Sequence, residues 1–165
     1  MKTILNDYTN YNLWANKKIC DLLITLDDSV LQKDIDSSFR TIKETVYHVW
    51  GAEWLWLLRI QVNESSLIQS PVKNFTGDFK EAVESFHKIS EEIIKLVSDT
   101  DEKELTNIIT YQNLAGKEFT NVFYEVIMHC MNHSTFHRGQ IITMLRTAGV
   151  TNLFSTDLIT YYRER

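Results

Sequence analysis

Residues 41–62 carry apolar side chains on almost every side of a helix. Tyr47, Val49, Trp50, Trp54, Leu55, Trp56, Leu57 and Leu58 leave it no polar face. Such a helix must be covered on several sides at once. Its most apolar run, residues 46–60, includes His48, Glu53 and Arg59. A membrane span needs about 20 apolar residues, so this is a buried helix. Other helices of the chain must cover it, and a second copy can cover what they leave. A homodimer joined through this second helix is therefore expected, and the alternative is burial within one chain.

The remaining pattern supplies those partners. Tyr8, Tyr11, Ala15, Ile19, Leu22 and Leu26 recur at spacings of three and four, which predicts a first helix over 3–27. The polar stretch 28–40 reads as a loop. Thr41 and Glu44 are spaced for a capping box at the start of the second helix. Residues 63–77 hold the single proline, Pro71, and read as a loop. Asp78 and Glu81 can cap a third helix, to about Ser98. Residues 101–118 read as a short hairpin or an irregular crossover, with Ile108 to Tyr111 β-rich and Gly116 a turn signal. A fourth helix covers 119–148 and stops at Gly149, and a short one follows over 157–163. Four long helices in 165 residues predict an all-α chain, a four-helix bundle, in one domain spanning 1–165.

Charge and cysteines narrow the function. Seventeen basic against 22 acidic residues give a net charge of −5, unlike the basic surface of a nucleic-acid binder. Cys20 and Cys130 form no CxxC pair, so neither a disulfide framework nor a zinc ribbon is indicated. The N-terminal residues lack the apolar run and cleavage site of a signal peptide. A cytoplasmic protein with no membrane partner is expected.

The chemistry lies in the histidines. His129, His133 and His137 stand at i, i+4 and i+8 on the fourth helix. Successive members are turned by about 40°, so they share one stripe with Val126, Cys130, Ile141 and Met144, which points it inward. Positions eight apart rise by about 12 Å, too far for one ion. The pairs that can share an ion are His129/His133 and His133/His137, as in the i,i+4 pairs of zinc proteases. His48 on the second helix is the natural third ligand, because Gly51 and Ala52 on its face leave room for an ion and a small ligand. His87 on the third helix is the competitor and reads as a surface residue. Cys130 reads as a small core residue. No phosphate loop or Ser/His/Asp order competes with this set.

Three segments carry a resemblance: 11–16 (YNLWAN), 41–59 with His48 and Glu53, and 133–140 (HSTFHRGQ), continued by Leu145, Arg146 and Gly149. In this order they cover nearly the whole chain, which resembles the DinB/YfiT-like superfamily of metalloenzymes. The resemblance implies a bundle with a long crossover between the third and fourth helices, often dimeric. It also implies a divalent ion held by His48, His133 and His137, leaving His129 a turn away.

Three neutral imidazoles leave an open fourth position and an uncompensated charge, the pattern of catalytic zinc. Zinc is the expected ion, with nickel the nearest alternative. Relatives resemble thiol-dependent transferases that use low-molecular-weight thiols such as bacillithiol or mycothiol. The expected function is thiol transfer to a small electrophile at the metal. The alternatives are a metal-dependent hydrolase and a non-catalytic dimeric module that binds a metal or a small ligand. Gln140 is the expected orienter of a ligand or substrate, Arg138 a salt-bridge former, and Glu53 a buried ion-pair partner outside the ion's reach. Proton competition for the ligands is expected below about pH 6.

Overall fold

A computed structural model of the chain describes residues 1–61, 70–113 and 115–165. In chain order the elements are α1 (Lys2–Leu23), α2 (Asp28–Leu31), α3 (Ile42–Gln61), α4 (Phe79–Asp99), a 3-10 turn (Glu102–Thr106), β1 (Ile108–Gln112), β2 (Glu118–Val122), α5 (Phe123–Ala148) and α6 (Leu158–Glu164). Residues 63–69 of the loop expected over 63–77 lie outside the described residues, as does the end of the second helix at 62.

The helix signals work as the local chemistry requires. The amide of Thr41 donates to Glu44 Oε2 at 3.1 Å, and the amide of Glu44 donates to Thr41 Oγ1 at 3.0 Å. Asp78 and Glu81 make the same reciprocal pair ahead of α4. Two amides that would otherwise lack partners are thereby satisfied at each helix start. Gly149 ends α5 with φ +98°, a left-handed conformation that other residues enter at a cost.

α1 packs against α4 and α5, and α3 packs against the same two, so α1 and α3 lie on one diagonal of the bundle. Two apolar cores fill it. One gathers Ile19, Leu23, Val46, Trp50, Phe86 and Met144; the other gathers Leu5, Leu57, Ile93, Val97, Ile127 and Met131. From the order in which each helix meets the two cores, α1 and α5 run one way and α3 and α4 the other. The long connection from α4 to α5 carries the 3-10 turn and the antiparallel β1–β2 hairpin, in which Thr110 faces Thr120.

A polar layer separates the cores. Glu53 of α3 is fully buried. It accepts from Asn12 at 2.7 Å, Asn16 at 3.0 Å, Ser134 at 2.8 Å and Ser90 at 2.6 Å, so all four bundle helices meet on one carboxylate. Arg138, also buried, donates to the amide oxygens of the same Asn12 and Asn16 and to Thr135 Oγ1. Buried charges demand such partners.

Several boundaries differ from the sequence reading. α1 ends at Leu23 rather than 27, because Leu26 reaches the core from the following turn. The loop over 28–40 contains α2, whose Leu31 is buried. The fourth long helix begins at Phe123 rather than 119, since residues 118–122 pair with β1 instead. The expected salt bridge of Arg138 is replaced by the two asparagine amides, which link it to Glu53 without direct contact of the charges. The chain itself covers much of α3: no large apolar side chain of this helix is among the exposed ones. Among the described residues, no helix is long and apolar enough to cross a membrane.

Candidate metal centre

α3 and α5 pack side by side, and three imidazoles meet across that seam. His48 Nε2 lies 3.0 Å from His133 Nε2, and His137 Nε2 lies 3.1 Å from the same atom. The potential ligand atoms of all three lie within 4.8 Å of one another, and among the described residues this is the group of three or more His, Cys, Asp or Glu so placed. His133 and His137 are one helical turn apart on α5, and the packing of α3 brings His48 to them.

The convergence suits a cation better than a hydrogen-bonded cluster. Each neutral imidazole has one N–H and one lone pair. With bonds of about 2.0–2.1 Å in tetrahedral geometry, two nitrogens on one zinc stand about 3.3 Å apart. The observed 3.0 and 3.1 Å are close to that spacing. Nδ1 of His137 donates to Gln140 Oε1 at 2.7 Å, while Gln140 Nε2 donates to Ser38 Oγ at 2.7 Å. In this arrangement the amide oxygen of Gln140 faces the ring and its nitrogen faces Ser38. A proton on Nδ1 leaves the lone pair of His137 Nε2 directed at its neighbours, the arrangement a metal-ligating histidine needs. His133 Nδ1 is buried with no hydrogen-bond partner among the described residues.

Burial keeps the rings neutral. It pushes His48 and His133 down to about 4, helped by the neighbouring imidazoles. His137 is also lowered by burial, against the opposing pull of its Gln140 bond. Neutral imidazole is the form that binds metal.

The surroundings are aromatic and small. The Phe39 ring lies 4.3 Å from that of His48 and 5.8 Å from that of His137. Phe136, beside His137, is 59% exposed. His48 also lines a cavity of about 560 Å³ together with Gly51 and Ala52, the small residues of its helix face.

A sequence model of the DinB family matches residues 1–163. The chain belongs to the DinB family. It is 27% identical over 144 residues to Protein DinB of Bacillus subtilis (strain 168), an alignment covering 84% of this chain and 83% of that protein. Its fold is similar to the crystal structure of a DinB-like protein from Bacillus cereus ATCC 10987, with a TM-score of 0.61 at 20% identity, covering 86% of this chain and 90% of that one. At that identity the likeness shows the fold alone.

Within this DinB-family chain, the fold chooses between the two pairs that helix geometry allows. His133 and His137 join His48, whereas His129 is exposed and packs its ring 4.9 Å from Trp56, outside the cluster. The expectation that His129 points inward is corrected by helix geometry: each four-residue step turns about 40°, which carries it off the buried face. His87 is also corrected. It is half-buried against Phe86, not a free surface side chain, and it stays outside the cluster. Cys130 and Cys20 are free and buried, and burial pushes both thiols up. The carboxylate of Glu53 is engaged in the polar layer and is not part of the histidine cluster. Ser38 and Phe39 went unflagged by the sequence, because the polar loop around them has no periodicity. A lone phenylalanine in such a loop was the available signal.

Proposed function

We propose that this chain is a divalent-metal-dependent enzyme that joins a low-molecular-weight thiol, through its sulfur, to a small electrophile, with His48, His133 and His137 as the ligands. The observation that carries this reading is the meeting of three neutral imidazoles with no carboxylate or thiolate among them. A bound zinc or nickel ion would keep its full positive charge and supply stabilisation of a thiolate over a thiol. Gln140 holds His137 in the ligating tautomer. Phe39 shields one side of His48 and His137 from water. The chain's own cysteines are buried and held protonated, so the sulfur nucleophile comes from a separate thiol.

In the transfer, a sulfur–carbon bond forms, the leaving group departs with its bonding electrons, and the thiol proton passes to solvent. With monochlorobimane as electrophile the leaving group is chloride. Zinc-loaded protein is incubated with monochlorobimane and, in turn, bacillithiol, glutathione or cysteine. At least one thiol is expected to give conjugation well above the uncatalysed rate, and His48→Ala to abolish the excess. Equal rates for the two proteins would remove the catalytic reading and leave a metal-binding module.

A homodimer seamed along α3 is a further part of the proposal, supported by the half-covered Trp54, Leu55 and Leu58. Light scattering is expected to give twice the chain mass, and a monomer mass would remove the seam. The cytoplasm is the proposed location, consistent with two free, buried cysteines.

A further inference from the structure

His48 belongs to two places at once. Its Nε2 faces His133, and the residue forms part of the wall of the 560 Å³ cavity between α3 and the turn after Ser70. A volume of this order suits a small organic molecule. Gly51 and Ala52 contribute the small side of the cavity. A Cβ on Gly51 would stand 3.3 Å from both Ser70 Oγ and Val72 Cγ2, so a side chain there would press on the turn.

The remaining walls decide what can enter. Phe39, Tyr47 and Trp54 give aromatic faces, and Leu55 and Val72 give aliphatic ones. Among the described lining residues there is neither lysine nor arginine. The charged residue among the described liners, Glu44, is an acid already tied to the Thr41 amide at the start of α3. Ser70 Oγ accepts from the Val72 amide at 3.3 Å. A carboxylate placed against these walls would lose its water and find no cationic side chain among the described lining residues. A flat uncharged molecule would lose little and gain aromatic contacts.

We propose that this cavity receives the electrophile and selects uncharged, ring-containing, largely apolar molecules while rejecting carboxylates. The proposal rests on reading the three-histidine cluster as the reacting centre, which puts His48 between the two.

The test uses two probes of one shape and different charge, 2-naphthamide and 2-naphthoate, titrated calorimetrically into the full-length protein. Wild type is expected to bind the amide at least tenfold more tightly than the carboxylate. Ala52→Phe fills the cavity and should weaken the amide at least tenfold at unchanged molecular mass. Leu55→Lys adds a cation to the wall and, in samples whose molecular mass equals that of wild type, should shift the preference toward the carboxylate at least tenfold, an unshifted preference counting against the proposal. Equal affinity of wild type for the two probes would overturn the proposal, as would retention of amide binding by a folded Ala52→Phe. A changed mass in Ala52→Phe accompanying its loss of binding would assign the face to subunit contact, with the same consequence. Zinc content is measured on the same samples. Normal zinc without probe discrimination defeats the cavity alone; discrimination without zinc defeats the metal reading alone.

Discussion

Gln140 Oε1 lies 2.7 Å from Nδ1 of His137. The contact spans one turn of α5, and Ser38 from the loop ahead of α3 holds the other end of the amide. It fixes the tautomer of a proposed ligand without reaching the ion's position. Gln140→Leu should therefore leave the fold intact and weaken zinc binding by roughly 10–100-fold. Competition with a chromophoric chelator measures this. An unchanged affinity would reduce Gln140 to a helix-to-loop tie.

His133 and His129 make an internal control. They are neighbours on α5, yet only the first reaches His48 and His137. His133→Ala should lose stoichiometric zinc, and His129→Ala should retain it with affinity within about threefold, a difference below 1 kcal/mol. Equal loss in both would move the site toward the hairpin.

The contrast between these two residues also shows how far the sequence could be read. Capping pairs, the terminal Gly149 and the apolar stripes act within one helix, so their meaning was local and visible. The spacing of His133 and His137 was visible for the same reason. The helix face that packs inward depends on neighbouring helices, and a stripe of i,i+4 residues drifts by about 40° per step. His129 therefore could not be assigned from its own segment, and the choice of pair came only from resemblance. The layer around Glu53 was less legible still. Asn12, Asn16, Ser90 and Ser134 come from three other helices and acquire their meaning only when these meet.

That layer predicts a stability effect separate from the site. Glu53→Ala leaves Arg138 buried without the acid its asparagine partners connect it to. Removing one member of a buried charged set costs about 3–5 kcal/mol. For a chain of this size, a fall in Tm of roughly 10 °C is expected by calorimetry. A change within about 1 °C would show that the layer adds nothing to stability.

The pH dependence has a definite sign. An imidazole in the unfolded chain titrates near 6.5, whereas burial pushes His48 and His133 down to about 4. Between these values the unfolded chain binds more protons than the folded one. Metal-free protein should therefore lose stability as pH falls from about 6.5 to about 4, with no contribution from these two rings above that window. Urea unfolding at pH 7, 5.5 and 4.5 measures the slope, and His48→Phe with His133→Phe should flatten it. Because both rings stay neutral at pH 5, zinc should persist below the limit of about pH 6 that ordinary histidines would set, and be lost toward pH 4. An unaltered slope in the double variant would contradict the burial of these rings.

The most direct measurement is the metal content of protein purified without a nickel column and loaded with zinc, determined by elemental analysis for wild type and His48→Ala. One ion per wild-type chain and well under a tenth of an ion in the variant, with its helical content preserved, is the predicted result. A wild-type chain that binds no ion, or a variant that binds as much as wild type, would contradict a metal centre built from His48, His133 and His137.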